Sequence, residues 1–532
     1  MAVRTVSNTG GNWNATTTWV GGVVPSATLD TVAFTATSGQ LTVNVASVCI
    51  GINFTNYVNT ITFTALLTVN GPINLGTGGY TQAGGSGIQA NATATHTSNG
   101  VVWSRLWAFA GVSQTYTLAD NFNFTGSLNF NGVTSIIING NTINTRNILS
   151  TTTAITSGTT NIVFNGTGTW SNTSTGAIRN NVTVNTASTL TLGANVYWNT
   201  GIFTHLSGNV DTTTNASTFN CQSGTIDAAN VTWNNFYFSS TGANILVLLN
   251  TLNILRDFTV GGQGTITGAF DIYCGNNNVN NSSSGATNVT LNHSGIIYCS
   301  NNLTYSGATN TCRHSGTVYV GGSVAFNAPA IATQGPTNLY MVGNGTMSAL
   351  SLSYPILSNI YFNTSGKIKI TTALGLTVAG AKIINLIRGI IDASKCDLYL
   401  SGNVNHTLTN MHKIAWKSIN LLGTTTVLTM NEFFSGKPDL KTVIASTVAS
   451  NYTITFTDNF EKIAKFVTIT NCTLSRPQQL LVITNSKKSS TNKGIRYINQ
   501  SPNGIAKDNP STPTQVTYNS NTSMLLSDPA MK

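Results

Sequence analysis

The chain has 532 residues and a formal net charge of +10. Only 7% of its residues are charged, whereas typical soluble domains have roughly 25%. An apolar fraction of 40% excludes a disordered chain, because disordered chains are charged and poor in aromatic and β-branched residues. Thr favours strands, while Asn, Ser and 50 Gly favour turns over helices. The composition therefore predicts an all-β protein with uncharged polar turns.

The N-terminal segment reads GNWNATTTWVGGVVPSATLD over residues 11–30. We interpret residues 1–35 as a capping or attachment segment, since the end of a repetitive β fold must cover its open core and strand edges. Trp13 and Trp19 can cover the core, Pro25 can end strand pairing, and Asp30 can accept turn hydrogen bonds. Alternatively, the two tryptophans form a platform for sugar rings, because aromatic faces suit apolar ring surfaces.

This segment resembles the pattern G-x-W-x-x-x-x-T-W-x-G-G-x-x-P-x-x-x-D-x-V of β-solenoid surface proteins and of phage fibre or tailspike-like proteins. The matching residues are Gly11, Trp13, Thr18, Trp19, Gly21, Gly22, Pro25 and Val32. Asp30 lies one place further from the proline than in many examples. The resemblance covers residues 11–32 and implies an architecture, but it implies no activity.

Short alternating runs that end in Gly or Asn recur between residues 36 and 365, such as TITFTALLTVNG from Thr60. Alternation with period two followed by such residues predicts strands and turns. The runs FDIYCGNNNVN from Phe270, GIIYCSNNLTYSG from Gly295 and GTVYVGGSVAF from Gly316 align with spacings of 25 and 21 residues. Repeats of this length predict an elongated parallel β-solenoid, or β-helix, made of stacked coils. Tandem β-sandwiches are the alternative, which the Asn-Gly hairpin signals favour locally.

The charge is concentrated in the C-terminal third. Residues 1–360 carry six basic and six acidic residues, and the first lysine is Lys367, so the remaining residues carry the whole +10. The lysines are scattered, which argues against nucleic-acid binding. We interpret residues 366–484 as a Lys-containing β region. Residues 485–532 lose the alternation and are rich in Pro, Asn and Ser, which predicts an extended tail that a partner subunit holds in place.

No catalytic, cofactor-binding or metal-binding pattern is recognisable in the sequence. Glycan-cleaving enzymes use two carboxylates about 5–9 Å apart, and Asp392 and Asp397 are the nearest approach to such a pair. Residues five apart in a strand point to opposite faces, so turn and cap roles are preferred for both. The six histidines form no HExxH pattern, and the seven cysteines form no CxxC pattern, which predicts buried free thiols.

The N-terminus lacks the apolar core of a signal peptide, and no apolar run is long enough to span a bilayer. A surface-type composition without an export signal is typical of virion proteins, which are made in the host cytoplasm and leave within the particle. We therefore predict a non-enzymatic virion structural protein: a homotrimeric fibre, spike or surface appendage of a phage or large virus. It would contact other virion proteins and attach to host surface polysaccharide, without a cofactor, nucleic acid or membrane insertion. The alternatives are a polysaccharide-depolymerising tailspike and a cellular adhesin or filament subunit.

Overall fold

The computed structural model describes most of the chain. The described residues are 2–132, 135–150, 156–172, 177–268, 270–281, 288–293, 295–307, 311–327, 334–349, 356, 358–371, 376–380, 382–401, 404–410, 414–422, 427–431, 442–446, 452–457, 462–465, 467–469, 472–475, 480–483, 495–500 and 506–508. Within these ranges the regular structure is β-strand, apart from one 3-10 helix at Thr16–Thr18. None of the described residues belongs to a helix that is long and apolar enough to cross a membrane.

The chain divides into two compact units. The first contains Met1–Phe258 and Thr265–Ile272, and the second contains Thr259–Gly264 and Tyr273–Lys532. The change in charge near Lys367 falls inside the second unit, within the strand Asn359–Ile370.

The strands are short and numerous. Those that begin in the first unit, β1 to β33, are in chain order Ala2–Thr5, Gly11–Asn12, Asp30–Ala33, Leu41–Val43, Ser47–Cys49, Gly51–Asn53, Thr60–Phe63, Leu67–Val69, Ile73–Asn74, Thr81–Gly84, Gly87–Ala90, Ala94–Thr97, Val102–Trp103, Leu106–Gly111, Thr115–Leu118, Phe122–Phe124, Ser127–Gly132, Ile136–Gly140, Ile143–Thr145, Asn147–Ser150, Thr156–Ser157, Ile162–Phe164, Gly168–Asn172, Val182–Leu192, Asn195–Trp198, Ile202–Asp211, Thr218–Cys221, Gly224–Asp227, Thr232–Trp233, Asn235–Leu248, Leu252–Ile254, Asp257–Thr267 and Ile272–Cys274.

The remaining strands, β34 to β55, begin in the second unit. In chain order β34 to β55 are Asn276–Asn281, Asn288–His293, Ile296–Cys299, Leu303–Gly307, Thr311–Val320, Val324–Phe326, Gln334–Met341, Gly345–Ala349, Asn359–Ile370, Leu376–Ala379, Ile383–Ser401, Asn405–Thr409, Ala415–Leu421, Val427–Met430, Thr442–Ser446, Tyr452–Phe456, Lys462–Lys465, Val467–Ile469, Cys472–Leu474, Leu480–Ile483, Ile495–Gln500 and Ala506–Asp508.

In the first coils each coil contributes one strand to each of three parallel sheets. Thus β3, β4 and β5 pair in parallel with β6, β7 and β8 of the following coil. In the second unit the pairing is also parallel, but long strands cover two faces of a coil: the first part of β38 pairs with β35 and its second part pairs with β36. The predicted parallel β-solenoid is confirmed. The alternative of tandem β-sandwiches is wrong, because sandwiches are built from antiparallel sheets and these strand pairs are parallel.

Alternation in the sequence decides which side chains enter the core. In β7, Ile61 and Phe63 are fully buried, whereas Thr60 and Thr62 are partly exposed on the outer side. The outer side carries amide hydrogen bonds between coils: Asn91 donates to Asn70 over 3.1 Å, and Asn144 donates to Asn123 over 2.9 Å. Each such bond satisfies polar groups on a surface that has few charges.

The C-terminal segment contains paired strands. β54 (Ile495–Gln500) pairs in parallel with β53, and β55 (Ala506–Asp508) returns antiparallel to β54. Part of the segment 485–532 is therefore paired within its own chain instead of running as an extended tail. Its other residues lie outside the described part, so the partner subunit that we expected to hold them stays a prediction.

Candidate functional site

The N-terminal tryptophans are buried in the first coil. Among the described strands, β1 pairs only with β3 and β2 only with β4, and the third sheet begins later, at β5. Residues 13–29 thus occupy the place in the chain where later coils have a third strand. Trp13 and Trp19 each expose only 2% of their surface. They offer no ring face to a ligand, which contradicts the sugar platform and agrees with a cap.

The two tryptophans also contact each other directly. Their rings meet edge to face with centroids 5.1 Å apart, and the Trp19 indole Nε1–H donates to the Trp13 carbonyl oxygen over 2.8 Å. Edge-to-face aromatic pairs are worth about 0.5–1.5 kcal/mol beyond the area that they bury. The hydrogen bond adds a fixed orientation, so the two rings act as one packed unit.

Pro25 and Asp30 complete the same segment. Pro25 is buried, and Asp30 starts β3, where its carboxylate accepts hydrogen bonds from the Ser26 backbone N–H and the Arg4 Nε, both over 2.9 Å. The Ser26 hydrogen bond, together with the Arg4 guanidinium, lowers the pKa of Asp30. The carboxylate therefore stays ionised and holds the turn to the first strand, which is the turn role that the sequence predicts.

Trp19→Phe tests this cap. The substitution keeps an aromatic ring but leaves the buried Trp13 carbonyl oxygen without its donor, so we expect the free energy of unfolding to fall by about 1–3 kcal/mol. Urea titration measures the loss, and hydrogen exchange locates it. The amides of β1 and β2 should exchange faster while those of β38 and β40 do not change. Unaltered exchange in β1 and β2 would contradict the capping role.

Asp392 and Asp397 lie on the same strand, β44, but take separate partners. Asp392 forms an ion pair with Lys367 over 3.2 Å, and Asp397 forms one with Lys417 over 2.8 Å. The pairing register of β44 with β46 shifts between Ala393 and Asp397, so a bulge separates the two carboxylates. The Ser394 hydroxyl and the Lys367 ammonium lower the pKa of Asp392. A general acid in glycan cleavage needs a raised pKa, so the surroundings of Asp392 favour a structural role.

The core of the second unit contains a polar cluster around His314. Its Nδ1 faces the Tyr305 hydroxyl at 2.7 Å and its Nε2 faces the Asn277 amide at 3.3 Å. Nearby, the Sγ atoms of Cys274 and Cys299 lie 3.6 Å apart. Both side chains are buried and form no disulfide, and the same holds for Cys49, Cys221 and Cys396. Within the described ranges no three His, Cys, Asp or Glu side chains are placed to hold a metal ion. The buried thiols that the sequence predicts are confirmed for these five cysteines.

Five stacked tyrosines form a ladder on the outer surface of the second unit. We call it the tyrosine ladder; its members are Tyr273, Tyr298, Tyr319, Tyr340 and Tyr361, one from each of five successive coils of the second unit. Successive ring centroids lie 4.7, 5.2, 4.6 and 4.3 Å apart, with interplanar angles of 7° to 17°. Tyr298, Tyr319, Tyr340 and Tyr361 occupy one register position on consecutive strands, which fixes the stack.

An amide row runs beside the ladder, two residues earlier on each strand. It contains Thr317, Asn338 and Asn359: the Asn338 amide donates to the Thr317 hydroxyl over 3.2 Å, and the Asn359 amide donates to Asn338 over 2.9 Å. Two residues after each tyrosine the sequence has Gly275, Ser300, Gly321, Val342 and Asn363. Two residues before the other two tyrosines the sequence has Asp271 and Ile296, so one flanking position, beside Tyr273, is charged. The later flank has small side chains at three of its five positions.

The tyrosine hydroxyls are suited to hydrogen bonding. Burial raises the pKa of Tyr340, and the neighbouring Tyr361 and Tyr319 raise it further, because ionised phenols so close together would repel one another. The Tyr340 phenol thus keeps its proton well above neutral pH. A protonated tyrosine hydroxyl both donates and accepts hydrogen bonds, so Tyr340 offers both capacities to a ligand.

Comparison with protein-family models, with curated proteins and with solved structures gave no match.

Proposed function

We propose that the protein is a non-enzymatic structural appendage, such as a fibre or spike on a virion surface, that attaches to host surface polysaccharide. The observation that carries this proposal is the tyrosine ladder with its amide row, a polar face of low charge that is repeated over successive coils. Each coil offers a weak contact, and a ligand that engages several coils gains affinity from each additional one. Association into a homotrimer would multiply the contacts again.

The architecture supports a mechanical and binding role. In a stack of parallel coils each coil packs on its neighbours and shares a continuous core, which gives a stiff scaffold without a large charged surface. The low charge of the chain and the resemblance of residues 11–32 to fibre and spike proteins favour exposure on a particle. The separate ion pairs of Asp392 and Asp397 give no reason to prefer a depolymerising tailspike.

Attachment is testable with labelled protein and intact cells. We expect the protein to bind a subset of a panel of bacterial and eukaryotic cells, and mild periodate treatment, which cleaves the vicinal diols of sugars, to abolish that binding. Light scattering should give a mass three times the 55.9 kDa of one chain. Binding that survives periodate would contradict a glycan receptor, and a monomeric mass would contradict the trimer.

A further inference from the structure

The spacing of the tyrosine ladder restricts what can bind along it. Its rings repeat every 4.3 to 5.2 Å over five coils, so a ligand that makes equal contacts with each coil must repeat on the same length scale. An extended polysaccharide repeats with each sugar ring, which is close to this length. Another β-sheet also repeats at about 4.7–4.9 Å between strands, so a second copy of the chain must be considered as well.

The available area argues against a second copy as the occupant. The tyrosine-bearing segments hold about four residues each, which gives a face about 13 Å wide. Over the height of the ladder the aromatic face measures about 250 Å² at a strand spacing near 4.8 Å. A stable protein–protein interface buries about 800 Å² per partner, so this face is too small for one but large enough for a single polymer chain.

The chemistry of the ladder points to a ligand rich in hydroxyl groups. Neighbouring rings cover each other's faces, so a ligand meets ring edges and hydroxyls instead of stacking on a face. Sugar hydroxyls can donate to and accept from tyrosine hydroxyls, and the carboxamides of Asn338 and Asn359 each carry two donors and one acceptor. Hydrogen bonds to both rows would fix the direction of a chain along the stack.

The charge around the tyrosine ladder favours uncharged polysaccharides over anionic ones. Of the ten positions that flank the five tyrosines, Asp271 beside Tyr273 is the one charged residue, and its charge is negative. An anionic polymer would lose water from its carboxylates here without gaining a cationic partner, and such unpaired desolvation is costly. An uncharged polymer has no such cost.

We propose that the tyrosine ladder and the amide row bind an uncharged linear polysaccharide, which lies along the stack with one sugar unit per coil. This site rests on the proposed function, because it specifies where and what an attachment protein would bind. It makes no covalent bond and cleaves none. Five tyrosines set the length of polymer that gains from the site.

The test uses the full chain and neutral cello-, manno- and malto-oligosaccharides of two to eight units, with oligogalacturonate as the anionic probe. Isothermal titration should show tighter binding with each added sugar up to about five units and no further gain beyond, because the ladder has five members. The double variant Tyr319→Phe with Tyr340→Phe keeps the stacked rings but removes two central hydroxyls. We expect it to bind at least tenfold more weakly with unchanged thermal unfolding. Tyr237→Phe, at a partly exposed tyrosine outside the ladder, is the matched control and should bind like the natural chain.

Three results would overturn the site. The first is that neutral oligomers bind the double variant as tightly as the natural chain. The second is that oligogalacturonate binds and the neutral probes do not. The third is that none of the oligomers binds. If periodate-sensitive binding to cells persists in any of these cases, only the ladder is excluded and attachment stands. If the natural chain fails to bind cells at all, the proposed function itself fails.

Discussion

Trp107→Ala should lower the free energy of unfolding by about 3–5 kcal/mol, the usual loss when a buried aromatic side chain is truncated. Trp107 lies in β14 and is completely buried. Its ring centroid lies 5.5 to 6.2 Å from those of five other aromatic rings, which belong to His96, Trp103, Phe109, Phe122 and Phe124. Truncation leaves a cavity and removes all five contacts. Since a typical domain is stable by only about 5–15 kcal/mol, this loss is a large share of the total.

The damage should stay local. Trp107 is paired in register with Ile88 of β11 and Leu128 of β17, so the lost contacts belong to adjacent coils. In a solenoid each repeat contacts only its neighbours, and distant coils cannot compensate. Hydrogen exchange should therefore accelerate in β11, β14 and β17 and stay unchanged in β38 and β40. Urea titration, with the midpoint and slope both determined, gives the size of the loss.

Trp107→Phe is the matched control. It keeps a ring in the cluster and removes an indole N–H that has no hydrogen-bond partner among the described residues. Loss of an unsatisfied buried donor offsets part of the lost packing. We expect the control to lose less than half as much stability as the alanine variant. A loss below about 1 kcal/mol in Trp107→Ala would contradict the central packing role, since a well-packed site costs more than that.

The strands and their inner faces could be predicted from sequence because alternation is a local property. The run from Thr60 alternates with period two, and Ile61, Phe63, Leu67 and Val69 all lie in the core. The repeat alignment also predicts register: Cys299 and Val320, matched at a spacing of 21 residues, are paired in the structure. Both predictions are confirmed for a physical reason, since inward side chains must match between stacked coils to form one continuous core.

Turn residues were a weaker guide. Gly140, in the dipeptide Asn139-Gly140, has a φ of +95°, as a hairpin turn would require, yet it ends β18 at a corner of the coil. The next strand, β19, pairs in parallel with β16 of the preceding coil. A glycine with positive φ fits both a hairpin turn and a corner of a coil. Which of the two forms depends on the strand that the next segment pairs with, and that strand lies about one coil away in the sequence. Local sequence does not contain that information.

The tyrosine ladder had a sequence signal that composition and motif searches do not detect. Its members are spaced by 25, 21, 21 and 21 residues, which matches the coil length of that region. Aligning the repeats on their tyrosines predicts the stack once a parallel solenoid is assumed. Without that assumption, residues 21 apart have no reason to touch, so the face emerges only from the fold.

The division of the chain into two units near residue 258 has no comparable signal in the sequence, because the alternation of apolar and polar residues continues through it.

The protein should lose stability on acidification from pH 6.5 to about pH 4, and His96 should account for about 3 kcal/mol of that loss. Burial lowers the pKa of His96 from 6.5 to about 4, and a change of one pKa unit corresponds to about 1.4 kcal/mol. Between these two values the unfolded chain binds a proton at His96 and the folded chain does not. Protons therefore favour unfolding in this window, and stability falls as the pH falls. His314, whose pKa burial lowers to about 3, adds to the loss at lower pH.

The surroundings of His96 explain why it stays neutral. Its Nδ1 accepts a hydrogen bond from the Ile73 backbone N–H over 3.2 Å, which places the proton on Nε2, and Nε2 has no partner among the described residues. Its ring stacks on Tyr116 at 5.5 Å and meets Trp107 at 6.2 Å. The Tyr116 hydroxyl donates to the carbonyl oxygens of Ala90 and Ala110, so it does not stabilise a charged imidazole. A second proton on the ring would displace Ile73 and leave a buried cation without a counterion.

His96→Asn isolates this contribution. The asparagine carbonyl can take the place of Nδ1 and accept from Ile73, but it does not titrate. At pH 7 the variant should be less stable than the natural chain, because the smaller side chain leaves a cavity. On going from pH 7 to pH 4 it should lose about 3 kcal/mol less, so the two stabilities converge in acid. His205→Asn, at a partly exposed position on the bulged strand β26, is the control and should follow the natural chain. Equal acid losses in the natural chain and His96→Asn would mean that His96 is not the group that takes up the proton.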